Sequence, residues 1–243
     1  EQIKICKEPV HMKKIILDSG PVISLALNNL LWLFEKVKKD YDIQFYITEA
    51  VKKELIDSPI SKRRFKFEAL QVLSLLNSGV ITLIKNREIN EKTSYLLELA
   101  NSSYKARERF LNLVHFAEFS AISAFLLYEA DAIMIDERTT RYMIERPDKL
   151  RNVLMHKLHT HMDINKSSLS ELRKQTKNVK FIRSAEFVTI AFEKGLLDKF
   201  LPNLPNARET LLDGLLWGLK INGCAISTKD LDTIKRVESK IKK

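Results

Sequence analysis

The chain has 243 residues, of which 45% are hydrophobic and 30% charged, with a mean hydropathy of −0.17 and a net charge of +10. This length can bury a proper core, and the composition excludes both a disordered chain and a membrane-embedded one, since no run of about 18 apolar residues occurs. The excess of 41 Lys and Arg over 31 Asp and Glu favours a polyanionic partner, nucleic acid first, although a charge-rich thermophile surface gives the same balance.

Residues 13–17 read as a first buried strand, and Ser19-Gly20-Pro21 turns the chain into a helix over 21–38. Residues 42–47 form a second strand. Thr48 then caps a helix that runs through Leu55 and stops at Ser58-Pro59. A helix over 63–76 carries Leu70, Leu73 and Leu76 at helical spacing, and Gly79 ends it before a strand at 80–84. Two helices fill 90–128, followed by a strand at 132–135. Residues 146–177 are polar and read as an insertion, with a last strand at 179–182. Three helical stretches follow, at 185–197, 207–221 and 228–243, with Gly195 and Gly223 at their ends and a loop at 201–206.

Strand–helix alternation in the first half predicts an α/β fold with a mainly parallel sheet. One domain over 12–184 and a helical C-terminal extension over 185–243, packed on the same core, are expected. Met12 is a candidate alternative start. Two cysteines, Cys6 and Cys224, lie far apart without metal-ligand spacing, which points to a reducing cytoplasm.

Four acids stand where burial is expected. Asp18 and Asp136 each follow an apolar run, Ile15-Ile16-Leu17 and Ile133-Met134-Ile135, and so fall at the carboxyl ends of core strands. Glu54 and Glu118 fall within apolar helix faces, Glu118 among Val114, Ala121, Ile122 and Phe125, with Ser120 and Ser123 opposite. A lone acid at a strand end is often a cap or turn former, but four unpaired carboxylates are costly to bury and together suggest Mg²⁺ or Mn²⁺. Glu137 reads as a first-turn glutamate or an outer fifth acid.

The segment Ile15-Ile16-Leu17-Asp18-Ser19-Gly20-Pro21-Val22-Ile23-Ser24-Leu25 resembles the opening motif of PIN-domain nucleases. Ile47-Thr48-Glu49-Ala50-Val51-Lys52-Lys53-Glu54-Leu55 is similar to the second motif. Residues 118–124 and 130–138 resemble the third and fourth, and the C-terminal tail resembles an extension of some archaeal members. The third acid is Glu118, where many members carry Asp.

The resemblance implies a three-layer α/β/α fold and a metal-dependent endoribonuclease, toxin-like or RNA-processing, with RNA as substrate. It further implies Asp18, Glu54, Glu118 and Asp136 as metal ligands, Asp18 and Asp136 directly, with Ser19 supporting the site. An antitoxin protein or a second copy would be partners, and no membrane is expected. A catalytically inactive PIN-like module for RNA binding or assembly is the alternative. A haloacid-dehalogenase-type phosphotransferase wants an acid where Gly20 stands, and a receiver domain would not need Glu54 and Glu118.

Arg138 and Arg141, just after Asp136, are the expected phosphate contacts, ahead of the cluster Lys62-Arg63-Arg64-Phe65-Lys66-Phe67. There, phenylalanines turned inward at a helix start explain the pattern equally well. His115 reads as a structural histidine near Glu118. His156, His159 and His161 have a spacing that can bind Zn²⁺, but a turn with chance histidines is the stronger reading.

Overall fold

The computed structural model describes residues 13–241; Cys6, Met12 and the last two lysines lie outside them. In chain order the elements begin with β1 (Lys13–Leu17), α1 (Ser19–Leu27), α2 (Trp32–Tyr41) and β2 (Ile43–Thr48). Next come α3 (Glu49–Lys52), a π-helical turn (Lys53–Asp57), α4 (Ser58–Ile60), α5 (Lys66–Asn77), β3 (Ile81–Ile84) and α6 (Arg87–Asn101). Then β4 (Tyr104–Ala106), β5 (Arg109–Phe110), α7 (Phe116–Tyr128), β6 (Ala132–Met134), α8 (Arg138–Glu145) and α9 (Pro147–Leu158) follow. The chain continues through β7 (Asp163–Ile164), α10 (Lys166–Gln175), β8 (Phe181–Ile182), α11 (Ser184–Glu193), α12 (Ala207–Ile221) and α13 (Thr228–Ile241).

Five strands make one parallel sheet in the order β3-β2-β1-β6-β8. From β1 the chain builds outward through β2 and β3, then returns to add β6 and β8 on the other side. The strand order therefore reverses between β1 and β6. In open α/β sheets this switch point opens a crevice at the carboxyl ends of the strands. Helices cover both faces, giving the three-layer α/β/α arrangement expected. Leu17, Phe45 and Met134 face one core with Val22, Phe34, Phe187 and Leu216. Ile16, Ile133 and Ile135 face the other with Leu96, Phe119, Ile122 and Leu172. The period-two alternation of a strand sends neighbouring residues to opposite cores.

Several elements differ from the sequence-based expectation. The helix expected over 21–38 is two helices, because the chain turns at Asn28-Asn29, where Asn29 takes φ +55 and Leu30 N donates to Leu25 O at 2.8 Å. Asparagine tolerates this left-handed geometry better than most residues. The helix expected to end at Ser58 instead passes through the π turn and α4. The polar stretch 146–177 is built mostly of α9 and α10, whose Leu150, Leu154, Leu169 and Leu172 are buried. A small antiparallel sheet, β5-β4-β7, has no counterpart in the sequence-based expectation, since strands of two or three residues carry no readable period. In α5 the outward residues include Phe67 and Leu70, while Ala69 and Val72 are buried.

The C-terminal helices belong to the first core, to which Leu212, Leu216, Leu219, Cys224, Ile226 and Leu231 contribute. Gly218 lets α12 lie against the α1–α2 turn, since a Cβ there would stand 2.3 Å from Asn28 Oδ1. Asn222 Nδ2 donates to the same Asn28 oxygen at 3.3 Å, and Ser24 Oγ donates to Asn222 O at 3.4 Å.

Candidate functional site

Asp18 caps α1, accepting from Gly20 N at 3.3 Å, and is held at the sheet edge by Asp18 N donating to Met134 O at 3.0 Å. Its side chain is buried, and Oδ1 has no hydrogen-bond partner. Burial first, then the Glu118 carboxylate and to a lesser extent Glu54, raise its pKa from 3.8 to about 7. An orphaned oxygen in a desolvated place is costly unless something cationic meets it.

Glu118 sits in the first turn of α7, half-buried, and accepts a short hydrogen bond from Thr140 Oγ1 on α8. Burial again dominates, with Glu137 and Glu54 adding repulsion, and its pKa rises from 4.5 to about 7 even though Thr140 and the His115 amide pull it down. His115 is thus the N-cap residue of α7 and gives its backbone to the glutamate three positions on, which is half of a capping box. The rest of α7 is apolar nearly all round. Ser120 and Ser123, expected on an outer face, are buried: Ser120 Oγ pairs with Thr48 Oγ1 at 2.6 Å and Thr93 Oγ1 donates to Ser123 Oγ at 3.0 Å. The Thr48–Ser120 bridge fastens the end of β2 to the helix that carries Glu118.

Glu54 corrects its expected setting. It is exposed rather than enclosed by an apolar face, because the π turn winds more widely than the α-helix on which that placement relied. Ser19 Oγ nevertheless donates to Glu54 Oε2 at 2.7 Å, drawing the glutamate over the start of α1. Ser19 thus links Glu54 to the start of α1, and Asp18, Glu54 and Glu118 lie close enough that the Glu54 charge raises the pKa of both of the others.

Asp136 is placed differently from the expectation of a free ligand beside Asp18. It follows β6 next to β1, and a Cβ added at Gly20 would stand 3.5 Å from Asp18 Oδ2 and 3.7 Å from Asp136 Cβ. Yet both its oxygens are engaged. Ser184 N donates to Oδ1 at 2.8 Å, Ser184 Oγ to Oδ2 at 2.7 Å, and Cys224 Sγ to Oδ1 at 3.3 Å. The carboxylate lies at the N-terminus of α11, where the helix dipole and a free amide favour an anion. Burial and the Asp136 charge push the Cys224 thiol up to about 12, so it stays a thiol. Among the described residues, no group of three or more His, Cys, Asp or Glu is arranged to hold a metal ion as it stands.

Residues the sequence did not single out complete the surroundings. Thr140 lies one turn beyond Asp136, and Ser184 opens the helix after β8; neither hydroxyl differs in sequence from an ordinary helix residue. Arg138 and Arg141 face a cavity of about 470 Å³ together with Arg146, Lys149, Arg183 and Lys229. Arg141 is pulled downward in pKa by burial and by the Arg183 guanidinium. The Lys62–Phe67 cluster is a different surface, with Arg64 stacked 4.5 Å from the Phe65 ring and Phe67 turned outward rather than inward. His156, His159 and His161 line a separate shallow hollow, where His161 Nε2 lies 3.2 Å from Asp163 Oδ1.

No helix among the described residues is long and apolar enough to cross a membrane. Comparison with protein-family models, with curated proteins and with solved structures gives no match.

Proposed function

We propose that the chain is a divalent-metal-dependent endoribonuclease of the PIN-domain kind, acting with Mg²⁺ or Mn²⁺. The observation that carries this reading is the meeting of Asp18, Glu54 and Glu118 at the β1/β6 switch point, with Asp18 Oδ1 buried and unpartnered. Two carboxyls raised to about 7 beside each other are what a hard cation would relieve.

The donor set fits such an ion in kind: Asp18 offers an unpartnered oxygen, Glu118 a carboxylate held in place by Thr140, and Glu54 a carboxylate on an exposed side chain. Asp136 would act mainly by fixing α11, its oxygens already serving Ser184 and Cys224. When bound, the ion lowers the pKa of water and offsets charge developing on a phosphodiester. Ser19 holds Oε2 of Glu54 and leaves Oε1 toward solvent. Thr140 fixes the rotamer of Glu118, which orients the attacking water through its carboxylate. The net charge of +10 supports RNA as substrate by long-range attraction. A toxin-like or RNA-processing role in the cytoplasm, with an antitoxin protein or a second copy as partner, belongs to the same reading.

A second reading, a catalytically inactive PIN-like module for RNA binding or assembly, is favoured by the engagement of both Asp136 oxygens. Incubation of a mixed single-stranded RNA pool with Mn²⁺ separates the two. Wild type should cut and Asp18→Asn should not. Equal cutting by both, or none by wild type, removes the nuclease.

A further inference from the structure

A second concave surface lies one residue away from the groups that hold Asp136. Arg183 precedes Ser184, Ala225 follows Cys224, and Arg138 stands two positions after Asp136; all three line the cavity of about 470 Å³ between α8, the start of α9 and the segment leading into α13. Six cationic side chains face it: Arg138, Arg141, Arg146, Lys149, Arg183 and Lys229. The opposing carboxylates are Glu145 and Asp230. Of these, Asp230 is already engaged, lying 3.6 Å from Arg183 Nη1 and accepting from Ser227 N at 3.3 Å.

The cations are largely unspent. Among the described residues Arg138, Arg141, Arg146 and Lys229 form no salt bridge, and Arg141 Nε is buried with no hydrogen-bond partner. Arg183 keeps a bond to Glu186, and Lys149 rests 4.8 Å from the Tyr142 ring. Crowding guanidinium groups costs repulsion, and at Arg141 burial together with the Arg183 charge lowers the pKa. Such a cluster is stabilised by a compact anion of more than one charge, which the planar forks of arginine grip in pairs. A backbone phosphodiester carries one charge and runs through open grooves. A phosphate monoester carries nearly two near neutral pH and ends a strand. The cavity's size falls within the roughly 300–1,000 Å³ range of small-ligand sites.

We propose that this cavity is a binding site for a phosphate monoester carried by a nucleotide, either the terminal phosphate of an RNA strand or a free mononucleotide. It draws on the RNA reading above only for the source of that phosphate and requires no cleavage. A strand end seated here would lead its neighbouring nucleotides past Asp136 toward the acid cluster.

The test is done in EDTA, so cutting plays no part. Fluorescence anisotropy compares one short labelled RNA bearing a 5′-phosphate, a 3′-phosphate or only hydroxyl ends, with AMP as competitor. One phosphorylated form should bind about tenfold or more tightly than the hydroxyl form, the scale of one charge-assisted bidentate contact. Arg146→Gln and Lys229→Gln, both at the cavity wall, should each erase much of that preference, as should Arg141→Gln if it keeps the wild-type melting curve. Displacement by AMP at matching concentration assigns the site to free nucleotides; displacement only by phosphorylated RNA assigns it to strand ends. Equal affinity for all three RNAs overturns the proposal, as does a preference that survives both Arg146→Gln and Lys229→Gln. A protein that fails to cut RNA with Mn²⁺ but keeps the preference loses the nuclease reading and retains this one.

Discussion

Ser184 gives Asp136 two donors, the backbone amide to Oδ1 at 2.8 Å and the hydroxyl to Oδ2 at 2.7 Å. The bond joins the end of β6 to the first turn of α11, and Cys224 joins the same oxygen from the C-terminal region. Of the two strand-end aspartates, one is therefore satisfied and the other, Asp18, is not.

That asymmetry predicts opposite responses to neutralisation in metal-free protein. Asp136→Ala and Ser184→Ala each strip a buried hydrogen bond and should lower stability by about 1–3 kcal/mol. Asp18→Asn removes a desolvated charge and should leave stability at pH 8 unchanged or raised. Urea unfolding of the three variants checks this; a strongly destabilised Asp18→Asn would contradict the account.

Stability should also fall as pH rises. The Asp18 carboxyl titrates near 3.8 when unfolded and at about 7 when folded. Between those values the folded chain holds the extra proton, so its advantage is full below pH 3.8 and is lost as pH climbs through 7. The loss from Asp18 alone is on the order of 4 kcal/mol at one pKa unit per 1.36 kcal/mol. Glu118, raised from 4.5 to about 7, acts in the same direction. Without metal, Asp18→Asn should flatten the slope between pH 4 and 7 relative to wild type. Identical slopes would mean that Asp18 is an ordinary carboxyl.

Mn²⁺ should stabilise wild type by mass action, about 2.7 kcal/mol at a hundredfold excess over its dissociation constant. The gain should vanish in Asp18→Asn/Glu118→Gln and largely persist in Ser184→Ala. Thermal melts with and without millimolar Mn²⁺ read it directly, and an unmoved wild type would count against the site.

Ser19→Ala releases Glu54 from its 2.7 Å bond without touching a buried group. RNA cutting should slow by up to about tenfold, the effect of one hydrogen bond of about 1.4 kcal/mol, with the melting temperature nearly unchanged. No change in rate would show that Glu54 needs no such hold.

The strand-end placement of Asp18 and Asp136 is legible because each follows an apolar run of the kind buried strands carry; the reversal of strand order between them is not. The partners of those acids were not. Ser184 lies 48 positions from Asp136, and nothing local distinguishes its hydroxyl from that of Ser19. Glu54 was misplaced for a different reason. A wheel assumes an unbroken α-helix, whereas Glu54 lies inside the wider-wound π turn of residues 53–57. Likewise 146–177 looked like an insertion because its helices are charged on the outside, although Leu150, Leu154 and Leu172 close the second core. Arg138 and Arg141 are visible as a pair; Arg183 joins them because β8 pairs with β6, and Lys229 because α13 folds back.

Gly218 has a consequence beyond packing. Because α12 is pressed onto Asn28 with no room for a methyl group, and Cys224 reaches Asp136 from the same stretch, trimming the protein before residue 207 would not shed an accessory lobe. It would lay bare Leu25, Phe187 and Val188, unhook one donor from the β6 aspartate and open one wall of the arginine-rich hollow. Shortened versions should therefore come out of expression insoluble, and a proteolytic nick in the 201–206 loop would disable both sites at once.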